Sequence, residues 1–101
     1  MPRREKVILS NYKIFETDEF QKQLRKITSA KRKVIEKKLS EYVYSQLNSA
    51  PYYGPNIKIL KGYDPETWRY RIGNYRVFYS MNDEESIVYM LTVDDRKDAY
   101  K

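Results

Sequence analysis

Apolar residues follow two different periods along this chain, and the change of period separates predicted helices from predicted strands. Phe20, Leu24 and Ile27 recur at i, i+4 and i+7, one stripe of an amphipathic helix that Thr17 or Asp18 is placed to cap. Thr28-Ser29 interrupts the stripe and can cap a second helix. That helix runs to about Asn48, with Val34, Ile35, Leu39, Tyr42, Val43 and Leu47 on its apolar side, and Pro51 stops it. A short break between two amphipathic helices predicts an antiparallel helical hairpin. Ahead of it, residues 1–9 read as a loose arm and Tyr12 to Phe15 as a strand, with Tyr12 and Ile14 on one side and Lys13 and Phe15 on the other.

Beyond the loop Pro51-Tyr52-Tyr53-Gly54-Pro55 the period drops to two. Ile57 to Leu60 is a short strand, and Gly62-Tyr63-Asp64-Pro65-Glu66 a turn. Trp68 to Ile72 and Tyr75 to Tyr79 are two strands joined at Gly73-Asn74. Asn82 to Glu85 turns into Ile87 to Val93, apolar enough to lie inside a sheet. The expected fold is a single α+β domain over residues 1–101: a two-helix N-terminal hairpin packed on a four-stranded, mainly antiparallel sheet in the order β-α-α-β-β-β.

A two-residue loop at Gly73-Asn74 sets Ile72 opposite Tyr75, Arg71 opposite Arg76, Tyr70 opposite Val77 and Arg69 opposite Phe78. One face of the hairpin then carries Trp68, Tyr70, Ile72, Tyr75, Val77 and Tyr79, enough to cover a core. The other carries Arg69, Arg71 and Arg76. Like charges directly opposite on a ladder are destabilising, by ~1 kcal/mol at most. Stability gives no reason for three guanidiniums there; a bound polyanion does. A three-residue loop would instead turn Arg76 to the Ile72 side and break up the cluster. The plain alternative is a solvated face whose arginines pair with Asp94, Asp95, Asp98 or the C-terminal carboxylate.

Charge changes this picture in one direction. Lys and Arg number 20 against 14 Asp and Glu, a net charge of +6, which suits a phosphate-rich or acidic partner. Residues 22–38 concentrate the excess, with eight Lys or Arg and one acid, Glu36. Besides the arginines, the candidate RNA contacts are Lys58 and Lys61 beside the hairpin and Lys22, Arg25, Lys26, Lys33 and Lys37 on the helices, through phosphate contacts blind to sequence. The same helices could receive an acidic protein segment. Tyr52, Tyr53 and Tyr63 could stack on bases, although loop tyrosines more often pack over a core edge.

There are no cysteines and no histidines. Disulfides and thiolate nucleophiles are excluded, an imidazole-ligated metal is not expected, and the usual acid–base residue at neutral pH is missing. Three glycines and no Gly-rich loop argue against a nucleotide cofactor. No cofactor, metal or membrane partner is expected, since no apolar run reaches the ~20 residues that span a bilayer. A cytoplasmic location is the default.

The blocks Ile59-Leu60-Lys61-Gly62, Trp68-Arg69-Tyr70-Arg71-Ile72-Gly73, Tyr75-Arg76-Val77-Phe78-Tyr79 and Arg96-Lys97-Asp98-Ala99-Tyr100 together resemble the RelE/ParE superfamily of toxins from type II toxin–antitoxin systems, closer to its RelE branch. The resemblance covers nearly the whole chain. It implies a ribosome-dependent endoribonuclease that enters the ribosomal A site, cuts mRNA with the RNA's own 2′-hydroxyl as nucleophile, inhibits translation and is silenced by a cognate acidic antitoxin. Family positions map onto Arg69, Arg71, Arg76, Arg96 and Tyr100. Arg76 and Arg96 would stabilise the phosphate, and Tyr100 would stack on or orient a base. Arg69 and Arg71 stand where well-studied members carry lysines, and Asp95 where a histidine is often seen. A guanidinium is always protonated, so it stabilises an anion but makes a poor general base, and the resemblance leaves the base open. Two rivals share the scaffold: a ParE-like inhibitor of DNA gyrase, and a non-catalytic RNA- or partner-binding domain.

Overall fold

The computed structural model describes residues 11–95, without the side chain of Asp95. The predicted N-terminal arm and the site residues expected at Arg96 and Tyr100 lie outside the described residues.

Strand β1 (Lys13–Glu16) leads into helix α1 (Asp18–Arg25). Thr17 is the cap: its hydroxyl accepts from the Phe20 backbone N–H at 3.1 Å and donates to the Met90 carbonyl at 2.8 Å. One side chain thus satisfies a helix end and ties it to the sheet. Thr28 takes the capping position of α2 (Ser29–Lys38) as expected, but its side chain makes no capping bond.

The second helix does not run uniformly. A π-helical turn (Leu39–Val43) separates α2 from α3 (Tyr44–Ser49) within one continuous rod. The spacing of buried residues explains it. Ile35, Leu39, Val43 and Leu47 are each four apart, and four residues overshoot one α-helical turn by about 40°. Three such steps would carry Leu47 off the core face; the wider turn absorbs the drift. Val34 and Tyr42, expected on the apolar side, fall outside that stripe and are 55% and 61% exposed.

The sheet has five strands: every segment read as a strand joins it, where a four-stranded sheet was expected. Its order is β1-β5-β4-β3-β2, with β2 (Ile57–Leu60), β3 (Thr67–Ile72), β4 (Tyr75–Asn82) and β5 (Ile87–Asp95). Tyr12–Phe15 and Ile57–Leu60 both find partners, one at each edge. β1 joins β5 in parallel and every other pair is antiparallel. The helices cover one face only. Phe20, Leu24, Ile35, Leu39, Val43 and Leu47 meet Tyr70, Ile72, Val77, Tyr79, Val88, Met90 and Val93 in a single core. The alternate positions of the strands form the opposite face, which no element among the described residues covers.

Candidate nucleic-acid interface

The Gly73-Asn74 loop has two residues. Gly73 has φ +58° while Asn74 is not among the positive-φ residues, the pattern of a type II′ hairpin turn, which needs glycine at its first central position. The register follows: Arg71 lies opposite Arg76 and Arg69 opposite Phe78. Continuing outward, β2 sets Lys58 opposite Arg69, and β5 sets Asp94 opposite Arg76. The uncovered face therefore brings Lys58, Arg69, Arg71 and Arg76 together against Asp94.

These four are not equivalent. Lys58 and Arg71 are exposed, whereas Arg69 and Arg76 are half-buried. Arg69 donates to the Asn56 carbonyl at 3.3 Å. Arg76 donates to Asp94 at 2.7 Å, and its guanidinium carbon sits 5.4 Å from the centre of the Phe78 ring. The carboxylate and the ring fix where that guanidinium lies. The Arg76 Nε is buried and has no hydrogen-bond partner among the described residues. Pairing with Asp94 had been the plain alternative for these arginines, and it holds for Arg76.

Arg71 also lines a cavity of about 300 Å³ with Lys38, Tyr42 and Asn56, where β3 runs past the end of β2. Sequence periodicity assigned Tyr42 to the core and gave Lys38 no role. The cavity links the cationic sheet face to the helix layer around the sheet's edge. Lys22, Arg25, Lys26, Lys33 and Lys37 are exposed on that helix layer, across the core from Arg69 and Arg76. They form a second basic surface, separate from the first. Lys61 is exposed in the turn after β2.

The loop tyrosines divide. Tyr53 and Tyr63 are 75% and 59% exposed. Tyr52 packs edge-on against Trp68, with ring centres 5.1 Å apart, and donates to Asp83 at 2.6 Å. Tyr12 donates to the same carboxylate at 2.9 Å. Burial, and then the Asp83 carboxylate, push both phenols above their ordinary pKa. Neither is placed to lose a proton near neutrality.

Residues 14–100 match the sequence profile described as the ParE toxin of type II toxin–antitoxin systems. The fold is similar to the toxin–antitoxin complex RelBE2 from Mycobacterium tuberculosis, with TM-score 0.67, 26% identity and coverage of 85% of this chain and 92% of that one. It is similar to the intact RelBE toxin–antitoxin complex of E. coli, with TM-score 0.60, 27% identity and coverage of 83% and 95%. The RelB–RelE antitoxin–toxin complex of Methanococcus jannaschii gives TM-score 0.59, 27% identity and coverage of 85% and 94%. No curated protein sequence matches. Among the described residues, no helix is long and apolar enough to cross a membrane.

Proposed function

Because the chain belongs to the ParE toxin family of type II toxin–antitoxin systems, within the RelE/ParE superfamily, we propose that it acts as a ribosome-dependent endoribonuclease that cleaves mRNA and is neutralised by a cognate antitoxin. The observation that carries this reading is the register of the hairpin. Arg71 opposes Arg76, Lys58 opposes Arg69, and among the described residues the four share one sheet face with a single carboxylate, Asp94. The solved relatives above, each a toxin with its antitoxin, support the antitoxin partner.

In this mechanism the scissile phosphate sits between Arg71 and Arg76, and the neighbouring 2′-hydroxyl attacks in line. The new P–O bond forms as the 5′-oxygen bond breaks, the 2′-hydroxyl proton passing to water and the 5′-oxygen taking one from water, which leaves a 2′,3′-cyclic phosphate and a free 5′-hydroxyl. No metal, thiol or serine takes part. The guanidiniums neutralise the charge that builds on the phosphoryl oxygens; donors fixed in advance are worth about 10²–10³ in rate each. Arg76 is the better oriented, because Asp94 and Phe78 hold it. Arg71 is the better exposed, and it reaches the RNA first. Arg96 and Tyr100 complete the site in the family pattern. The ribosome supplies the remaining alignment of the message.

Lys22, Arg25, Lys26, Lys33 and Lys37 fit a separate role as phosphate contacts to ribosomal RNA, with Lys58 and Lys61 closer to the message. A second reading, inhibition of DNA gyrase without nuclease activity, is favoured by the ParE description of the matching family. The test is to add the toxin to a translation extract, map mRNA ends by primer extension, and repeat with a 2′-deoxynucleotide at the mapped cut. The nuclease reading expects discrete cuts that the 2′-deoxy substitution abolishes. Intact messages, with damaged chromosomal DNA in expressing cells, would establish the gyrase reading.

A further inference from the structure

The uncovered sheet face is not cationic along its whole length. The rows beyond Arg76 are Phe78 beside Thr92 and then Ser80 beside Tyr89, with Phe15 of β1 alongside Tyr89. Phe15 is 55% exposed although it lies within a strand. Its ring meets that of Tyr89 at 5.7 Å and 71°, edge to face. That geometry leaves ring faces that the pair itself does not use. Between the Phe78 and Tyr89 rows the β4–β5 register shifts, because Phe78 pairs with Thr92 and Tyr79 with Met90, leaving Leu91 as an extra residue. Bulges of this kind re-aim the side chains beside them, and the Thr17 hydroxyl fixes this one through the Met90 and Leu91 carbonyls.

We propose that Phe15 and Tyr89 form a base-stacking platform for single-stranded RNA, taking a base a few nucleotides from the phosphate held at Arg71 and Arg76. This rests on the RNA reading above. From strand spacings, Tyr89 and Phe15 lie about 14–16 Å from Arg76 along the same face. Cations at one end and open aromatic rings at the other are what a sheet needs to hold an unpaired strand, phosphates on charge and bases on π faces. The occupant is RNA because the platform is continuous with a face where, among the described residues, four cations meet one carboxylate, which an apolar protein segment would not select. Stacking is tolerant of sequence, so the platform sets the path of the strand and not the identity of the base.

The test measures binding of a short fluorescein-labelled single-stranded RNA to the full chain over a salt series. Phe15→Ala, Tyr89→Ala, Phe15→Trp and Arg71→Ala are compared, with folding checked by thermal melting. Phe15→Ala and Tyr89→Ala are each expected to weaken binding about tenfold without changing the log–log salt slope, and Phe15→Trp to restore it. An abasic site in the RNA is expected to remove the effect of Phe15→Ala at one or two positions only. If Arg71→Ala weakens binding and flattens the slope while Phe15→Ala binds as wild type, the platform is overturned and the RNA reading stands. If neither change matters, the RNA reading falls and the platform with it. If Phe15→Ala weakens capture of an antitoxin but not of RNA, the aromatic pair is a protein-docking surface and the proposal is overturned.

Discussion

At the scale of single residues, most of the chemistry turns on the partners of Arg76. Asp94 holds its guanidinium in a contact that is 24% and 39% exposed on the two sides, so its net contribution to stability is small, of the order of 0–1 kcal/mol. On the proposed RNA reading its larger effect is on binding, because an incoming phosphate would compete with that carboxylate. Asp94→Asn is expected to melt within a few degrees of wild type and to steepen the log–log salt dependence of RNA binding by about one. An unchanged slope would show that Arg76 takes no share of the phosphate. Sequence reading reached the arginines and offered Asp94 as one of several partners, without selecting it. The Arg71–Arg76 pairing follows from one two-residue turn next to both residues. The Arg76–Asp94 pairing also needs the β4–β5 register, which the extra residue Leu91 shifts in a way no period-two pattern displays.

The tyrosines give a second prediction at this scale. Tyr44 and Tyr79 are held above their ordinary pKa first by burial, and Tyr52 and Tyr12 by burial and the Asp83 carboxylate. For Tyr44, the Glu16 carboxylate that accepts its hydroxyl adds to the effect. A raised folded pKa means that the unfolded chain gives up its proton first. The stability these groups contribute is therefore complete below about pH 10 and is lost as pH climbs towards the folded values. The urea midpoint is expected to be flat from neutrality to about pH 9 and to fall above about pH 10, with a shallower fall in Tyr79→Phe. A midpoint insensitive to pH in that alkaline range would remove this account of the buried phenols.

At the scale of elements, the helical rod and the hairpin show what a linear pattern can and cannot reveal. The apolar spacing showed the stripe Ile35-Leu39-Val43-Leu47 but also took in Val34, which sits about 100° round the helix from Ile35, and Tyr42, which the π-helical turn carries outward. Deleting the exposed Ser40 should convert that turn to regular α-helix with the four buried residues in 4-3-4 spacing. A cooperative melt retained in that deletion is the expected result; a molten or unfolded chain would show that the wider turn is required. The hairpin is the reverse case, legible throughout. Gly73 sits at φ +58° with open space around its missing Cβ, so Gly73→Val is opposed by backbone strain alone, at about 1–2 kcal/mol. Urea denaturation measures it, and a neutral result would mean the turn type changes without penalty. All five strands were legible as segments, but a four-residue edge strand carries too short a pattern to specify a partner across most of the chain, so the parallel pairing of β1 with β5 was not.

At the scale of the whole molecule, the fold separates two basic surfaces with its core. Lys22, Arg25, Lys26, Lys33 and Lys37 lie on the helix layer, and Arg69, Arg71 and Arg76 on the opposite sheet face, with the cavity beside Lys38 and Arg71 joining them at one edge. A change of Lys22, Lys26, Lys33 and Lys37 together to Gln is expected to weaken ribosome binding and flatten its salt dependence while leaving the cut positions unchanged. Altered cut positions would place the message, and not ribosomal RNA, on the helices. The most direct measurement of the central claim is the single-turnover rate of mRNA cutting on programmed ribosomes by wild type, Arg71→Ala and Arg76→Ala. The account predicts losses of about 10²–10³ for each arginine with ribosome binding largely kept. Cutting at the wild-type rate by both variants would contradict it.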